Sequence, residues 1–201
     1  MRSSSTALFV AATAAALAWA SVPEAGTAVS VPLSCDRGPD GQRSQMVVTV
    51  PASVSQGGTF TVRIDGRNSG RISHAGLRYI HDMTTWLLLP GGADYVEGSA
   101  RIVPDTGSPN VRPGATVSRQ GHAIKLVLPA HVEDGSDYTP PSIEFQLKAT
   151  AAPGTKILQR FAQYRVTAKA ILIGDVLTVC DPQPKPYTIG VTTVATSPSA
   201  P

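Results

Sequence analysis

Aromatic and charged residues are both scarce in this chain of 201 residues. Aromatic residues make up 5% of it and charged residues 15%, whereas 42% is hydrophobic. The hydrophobic content excludes an intrinsically disordered chain, and the few aromatic side chains offer no platform for stacking single-stranded bases. The net charge of +3 permits attraction to anionic envelope polymers or lipids. The sequence lacks the dense basic stripe of a nucleic-acid-binding protein, so we predict no nucleic-acid partner.

The sequence also lacks the patterns that mark catalytic nucleophiles and metal centres. It contains no G-x-S-x-G elbow and no S-x-x-K at the start of a helix. The four histidines, His74, His81, His122 and His131, show neither H-E-x-x-H nor paired i, i+4 spacing. We therefore predict no catalytic residue, no metal site and no cofactor, and we interpret the protein as non-enzymatic.

Long apolar runs are absent except at the N-terminus. Arg2 precedes the apolar run Ala7 to Ala18, and two later tripeptides, 18–20 and 26–28, fit a cleavage site. The run is too short to cross a bilayer. We predict a signal peptide over residues 1–28, no membrane span and no lipid anchor. The mature protein is then secreted or held in the extracytoplasmic cell envelope.

Proline and glycine are frequent, and they lie between apolar runs rather than in low-complexity tracts. Pro51, Pro90 and Pro129 stand 39 residues apart, and each follows an apolar run. Because proline cannot donate to a strand ladder and glycine supplies turn conformations, the pattern predicts one device used three times. In this device an apolar strand ends at proline, the chain turns at glycine and the next strand begins.

Alternation of apolar and polar residues supplies the strand predictions. Phe60, Val62 and Ile64 share one predicted face, and Thr59, Thr61 and Arg63 share the other. Further strands are predicted at 47–50, 84–89, 100–103, 123–128, 143–149 and 171–179, with a loop at 131–141. Residues 157–168 form the best candidate helix, but their β-branched residues and missing caps favour a strand.

Strands at this spacing, with no long helical pattern, predict an all-β, Ig-like two-sheet β-sandwich. We expect a single domain over residues 29–196, followed by a disordered tail at 197–201.

The chain contains only two cysteines, Cys35 and Cys180, near the two ends of the predicted mature protein. In an exported protein such a pair favours a disulfide over two free thiols. An immunoglobulin-type bridge joins facing strands inside the core, beside a tryptophan. A bond between Cys35 and Cys180 instead encloses almost the whole domain, and we interpret it as a clasp on the termini.

Two charged clusters are candidate binding features. Arg63, Arg67, Arg71 and Arg78 fall within sixteen residues and are a tentative anion-binding patch. The alternative is a solvated face that protects a sheet edge from aggregation, and we prefer it. The acidic run 133–137 contains Glu133, Asp134 and Asp137 and could hold calcium weakly. A polar turn is favoured there.

The run IKLVLPAHVEDGSDYTPPSIEFQLKATAAPGTKI, with the later Cys180-Asp181-Pro182 and a proline-rich tail, resembles secreted β-sandwich proteins common in actinobacteria. The earlier VPASVSQGGTFTV resembles bacterial Ig-like modules in general. The shared motifs are structural. The resemblance implies a fold and a compartment and carries over no catalytic residue.

These observations favour an envelope or secreted module with a non-enzymatic binding or structural role. Its partner is unknown, with an envelope polymer, a lipid or another protein as candidates. The alternative is a carrier of an apolar ligand between splayed sheets, in which residues 86–89 line the cavity. A hydrolase is the least favoured class, because no nucleophile, base and orienting group can be assembled.

Overall fold

The computed structural model describes residues 25–37 and 41–196, and within them every regular element is a β-strand. The first seven strands are β1 (Thr27–Cys35), β2 (Arg43–Thr49), β3 (Ser53–Ser55), β4 (Thr59–Gly66), β5 (Leu77–Leu88), β6 (Ala93–Tyr95) and β7 (Arg101–Ile102). The other six are β8 (Thr116–Gln120), β9 (Ala123–Glu133), β10 (Ile143–Ala149), β11 (Lys156–Ala170), β12 (Gly174–Pro182) and β13 (Tyr187–Ala195). Most of the predicted signal peptide, and the predicted tail at 197–201, lie outside the described residues. Strand β1 begins two residues before the predicted start of the domain.

The strands form two sheets that share β1. The first sheet has the order β6-β10-β4-β2-β1, and β7 also pairs with β10. The second has the order β1-β12-β11-β5-β9-β8, with β13 beside β11 and β3 beside β13. Residues 27–32 of β1 pair with β2, and residues 33–35 pair with β12, so the strand crosses from one sheet to the other. The predicted all-β, Ig-like two-sheet sandwich is confirmed.

One hydrophobic core lies between the sheets, and the predicted faces of β4 agree with it. Phe60, Val62 and Ile64 are 6%, 0% and 8% exposed, and they stand opposite Leu147, Phe145 and Ile143 of β10. On the other face of β4, Thr59 and Thr61 are exposed and Arg63 is half-buried. Period-two alternation therefore marks the buried face correctly here.

In two of the three predicted places a strand ends before the proline. Strands β2 and β5 end just before Pro51 and Pro90, but Pro129 lies inside β9. The registry of β9 with β5 shifts between the pairs Met83–Leu128 and His81–His131, so Pro129 sits in a β-bulge. A bulge leaves a residue out of the ladder, and the missing N–H of Pro129 therefore costs no ladder hydrogen bond. The loop predicted at 131–141 consequently starts later, because β9 continues to Glu133.

The segment 157–168 is a strand, as predicted, and belongs to the fifteen-residue β11. In the first half of β11 odd-numbered residues such as Ile157 and Phe161 face inward, whereas in the second half even-numbered residues such as Tyr164 and Val166 do. The change occurs because the register with β5 shifts between Phe161 and Gln163. The strand predicted at 171–179 was placed too early. Residues 171–173 form the turn of the β11–β12 hairpin, and β12 starts at Gly174.

Candidate functional site: a cavity between the sheets

A cavity of about 660 Å³ lies against the second half of the β11–β12 hairpin. Its wall includes the cross-strand pairs Tyr164–Cys180, Val166–Thr178 and Ala168–Val176, which follow one another along the inner face of the second sheet. The volume falls in the range of pockets that hold small ligands. On this β11–β12 side the wall is apolar except for the hydroxyl groups of Tyr164 and Thr178.

The cavity exists because the two halves of β11 face different partners. In the first half, Ile157 and Phe161 are 0% and 1% exposed and belong to the packed core. In the second half the last two inward positions carry small side chains, Ala168 and Ala170, and both are half-buried. Small side chains leave volume that the facing elements do not fill. The second half of β11 is therefore the wall of a cavity and the first half is part of the core.

The opposite wall is formed by the start of β2 and by residues 67–76, the irregular segment between β4 and β5. Hydrogen bonds fix this segment to residues 134–138: Ser69 N donates to Tyr138 O at 2.7 Å, and Ile72 N donates to Ser136 O at 2.8 Å. Two of the three candidate calcium ligands, Asp134 and Asp137, take part in this contact. Asp137 accepts from Asn68 Nδ2 at 2.8 Å, and Asp134 accepts from His74 N at 3.3 Å. The acidic turn thus holds the cavity wall in place.

Two tyrosines meet on the cavity wall. The hydroxyl oxygens of Tyr138 and Tyr164 are 3.3 Å apart and share a hydrogen bond. Burial raises the pKa of Tyr138 above its ordinary value of 10.0, and the bond to Tyr164 partly offsets this rise. Burial raises the pKa of Tyr164 well above 10.0, and the neighbouring Tyr138 raises it further. Both phenols are therefore neutral at physiological pH, so this part of the wall carries no charge.

The polar side of the cavity is cationic. Its described lining includes Arg37, Arg43, Arg67 and Arg71 and contains no aspartate or glutamate. The carboxylates of Asp134 and Asp137 bind the segment that carries Arg67 and Arg71, but they do not line the cavity. Arg43 donates to Ser30 Oγ at 2.7 Å. None of the four takes part in an ion pair between described residues. We call these four residues the arginine rim.

The structure divides the arginine patch that the sequence suggested. Arg67 and Arg71 belong to the arginine rim, whereas Arg63 lies on the outer face of β4 and pairs with Asp65 at 2.8 Å. Arg78 is exposed on β5 and does not line the cavity. Sequence reasoning missed Arg37 and Arg43, because their approach to residues 67–76 depends on strand pairing that no local pattern reveals.

Residues 86–89 do not line the cavity, so that expectation was wrong. Leu87 is 4% exposed and stands opposite Phe161, in the filled half of the sandwich. Trp86 faces the other side of the sheet, where the guanidinium of Arg165 lies 4.8 Å from its ring centroid. The apolar run spans both faces of a strand beside the packed core.

The histidines were the remaining candidates for a catalytic or metal-binding role. His81 and His131 are neighbours across β5 and β9, where they contact the carboxylates of Asp82 and Glu133 at 2.6 and 2.7 Å. Among the described residues no group of three or more His, Cys, Asp or Glu could hold a metal ion. Within the same ranges, no helix is long and apolar enough to cross a bilayer.

Cys35 and Cys180 are joined by a disulfide, and their Cα atoms are 4.0 Å apart. They stand directly opposite each other on the adjacent strands β1 and β12. The bond therefore links neighbouring strands of one sheet and differs from the bridge between facing sheets of an immunoglobulin domain. Cys180 is 3% exposed and lines the cavity.

No protein-family model matches the chain, and no curated protein matches it either. Several solved structures are similar at low identity. A cohesin module from a Clostridium perfringens family 33 glycoside hydrolase is 8% identical with a TM-score of 0.42, over 82% of this chain and 98% of that one. The collagen-binding domain of a Staphylococcus aureus adhesin is 10% identical with a TM-score of 0.34, over 83% and 99%. Domains D2 and D3 of the major pilin SpaD from Corynebacterium diphtheriae are 14% identical with a TM-score of 0.38, over 67% and 51%.

Proposed function

We propose that this protein is an exported, non-enzymatic binding protein that holds an amphiphile between its two sheets. The ligand has an apolar chain, which the wall of β11 and β12 covers, and an anionic head, which the arginine rim contacts. The observation that carries the proposal is a cavity of about 660 Å³ with an apolar wall on β11 and β12, whose described lining includes four arginines and no carboxylate.

The apolar part of the ligand supplies the driving force. Removing hydrocarbon from water stabilises a complex by about 25 cal/mol for each Å² buried. Val166, Ala168 and Val176 offer such a surface, and the neutral tyrosine pair adds no charge to it. An alkyl chain suits the β11–β12 side of the cavity better than a sugar, whose hydroxyl groups would lose water there and meet only the hydroxyl groups of Tyr164 and Thr178.

The arginine rim supplies the selectivity for the head group. Guanidinium groups bind carboxylate and phosphate oxygens through paired hydrogen bonds. Arg37, Arg67 and Arg71 form no ion pair with a described carboxylate, although the charge of Arg67 helps to lower the pKa of Asp65. These three arginines can therefore contact an anionic head without first breaking an ion pair. An alcohol or an amine of the same chain length lacks this interaction.

A second candidate is an envelope module that binds an anionic polymer along the arginine rim. The same unpaired arginines favour it, but it makes no use of the apolar wall. The two functions differ in their dependence on alkyl chain length, since only a ligand within the cavity gains affinity with each added methylene group.

Titration calorimetry with dodecyl phosphate, below its micelle concentration, tests the proposal. We expect binding with a negative heat-capacity change, which marks the burial of apolar surface. Ala168→Phe should fill the cavity and weaken binding by about tenfold or more. The matched control is Thr167→Phe, because Thr167 is the preceding residue on the opposite face of β11.

The proposal fails if wild-type protein does not bind dodecyl phosphate, or if Ala168→Phe binds it as tightly as Thr167→Phe does. Equal affinity for dodecyl phosphate and dodecanol removes the role of the arginine rim. Mass spectrometry of lipids extracted from protein purified from its native envelope then identifies the natural ligand.

A further inference from the structure

The turn between β11 and β12 exposes three apolar residues in succession. Ile171, Leu172 and Ile173 are 62%, 93% and 75% exposed. Isolated apolar residues are ordinary on a protein surface, but contiguous exposed groups mark an interaction site. Turns usually carry polar or small residues, so this turn departs from the usual composition at the most exposed point of the hairpin.

The apolar turn lies at the mouth of the cavity. Ile171, Leu172 and Ile173 all contribute to the cavity lining. Ile171 N donates to Gly76 O at 2.9 Å, which ties the turn to residues 67–76. The turn and the segment that carries Arg67 and Arg71 are thus neighbours around one opening.

The charges around this opening identify the kind of surface that fits the turn. The arginine rim is cationic. The acidic residues beside the opening already have partners: Asp134 and Asp137 accept hydrogen bonds from His74 N and Asn68 Nδ2 of the segment 67–76, and Asp175 is paired with Lys169 at 3.2 Å. Basic residues beside exposed apolar side chains are the usual features of proteins that bind anionic lipid surfaces. A second copy of the chain fits less well, because two such mouths would bring their arginines together.

We propose that the mouth of the cavity docks on a membrane surface that contains anionic lipids. Ile171, Leu172 and Ile173 enter the interfacial region, and the arginine rim contacts the lipid head groups. Docking in this orientation presents the cavity to the bilayer, so an amphiphile can pass between membrane and cavity without crossing water. This last step rests on the proposed function, whereas the docking itself does not.

Vesicle flotation with the mature, disulfide-bonded chain tests the docking. The probes are vesicles of phosphatidylcholine alone and vesicles that also contain phosphatidylglycerol. We expect binding to the anionic vesicles that is weakened by added salt. The double variant Leu172→Ser with Ile173→Ser should bind them about tenfold less tightly or worse, through loss of buried apolar area. Arg67→Gln with Arg71→Gln should also weaken binding by about tenfold or more, because each basic residue near an anionic surface adds to the attraction.

Val191→Ser is the matched control. Val191 is also an exposed apolar residue, at 41%, but it lies on β13 opposite Leu158, near the other end of β11. This variant should bind anionic vesicles like the wild type. Circular dichroism and denaturation of each variant establish that it is folded.

Three outcomes overturn the docking proposal. Wild-type protein does not bind anionic vesicles, or the turn variant binds them as well as Val191→Ser does. In the third outcome, light scattering finds a dimer that the turn variant abolishes, and the turn is then an interface between copies. Dodecyl phosphate binding by the turn variant separates the two proposals, since loss of docking with retained ligand binding leaves the proposed function intact.

Discussion

Phe60 is a single residue on which the assignment of the two faces of β4 can be tested. It is 6% exposed and stands opposite Leu147, which is fully buried. Phe60→Ala removes a large side chain from a packed interior, and we expect it to lower the free energy of unfolding by about 3–5 kcal/mol. Chemical denaturation with the disulfide intact measures the loss.

The neighbours of Phe60 on the opposite face provide the control. Thr61 is exposed, and Thr61→Ala should change the free energy of unfolding by less than about 1 kcal/mol. Arg63 pairs with Asp65 on a partly exposed face, where an ion pair contributes about 0–1 kcal/mol. A larger loss from Arg63→Ala than from Phe60→Ala contradicts the observed face assignment.

The tyrosine pair makes stability depend on pH in the alkaline range. In the folded protein the pKa of Tyr164 lies well above 10.0, the ordinary value that it regains on unfolding. Below that value the phenol is protonated in both states, and its contribution to stability is fully present. As pH rises above about 10 the unfolded state loses its proton first, so the free energy of unfolding falls.

We expect this alkaline fall to be smaller in Tyr164→Phe than in the wild type. Urea denaturation of both proteins at a series of pH values above and below 10 measures the difference in free energy of unfolding. Lysine titration affects both proteins equally and therefore cancels in this difference. Identical pH profiles for the two proteins would show that Tyr164 is solvated in the folded state.

At the scale of single elements, strands were predictable where pairing is regular. Strand β10 runs from Ile143 to Ala149, as alternation predicted, because its registry with β4 is uninterrupted over six residue pairs. The bulges at Pro129 and after Phe161 were not predictable. A bulge is defined by two residues facing one on a partner strand, and a single strand's sequence does not contain that relation.

Residues of the candidate site were also hard to predict where their position depends on distant parts of the chain. The apolar run 171–173 was predicted to begin a strand because hydrophobic residues normally signal burial, yet it is an exposed turn. Two of the rim arginines, Arg67 and Arg71, belong to the anion-binding patch suggested by the sequence, because they lie close together along the chain. Arg37 and Arg43 were not, since strand pairing brings them to the cavity from a distant part of the chain.

At the scale of the whole molecule, one covalent bond encloses nearly all of the described fold. Cys35 and Cys180 are separated by 145 residues. Cys35 ends the part of β1 that pairs with β12, just after β1 has crossed from the first sheet to the second. The bond therefore fixes the strand that both sheets share, at a position on the cavity wall.

Replacing both cysteines by serine should lower the free energy of unfolding by up to about 5 kcal/mol, because the unfolded chain gains the conformational freedom that a closed loop of this length denies it. Chemical denaturation compares the double variant with oxidised and reduced wild-type protein. Reduced wild type should resemble the variant, since neither has the loop closed. Peptide mapping without reductant should recover Cys35 and Cys180 in one linked pair. Two free thiols, or a double variant as stable as the oxidised protein, would show that contacts between the sheets alone hold β1 in place.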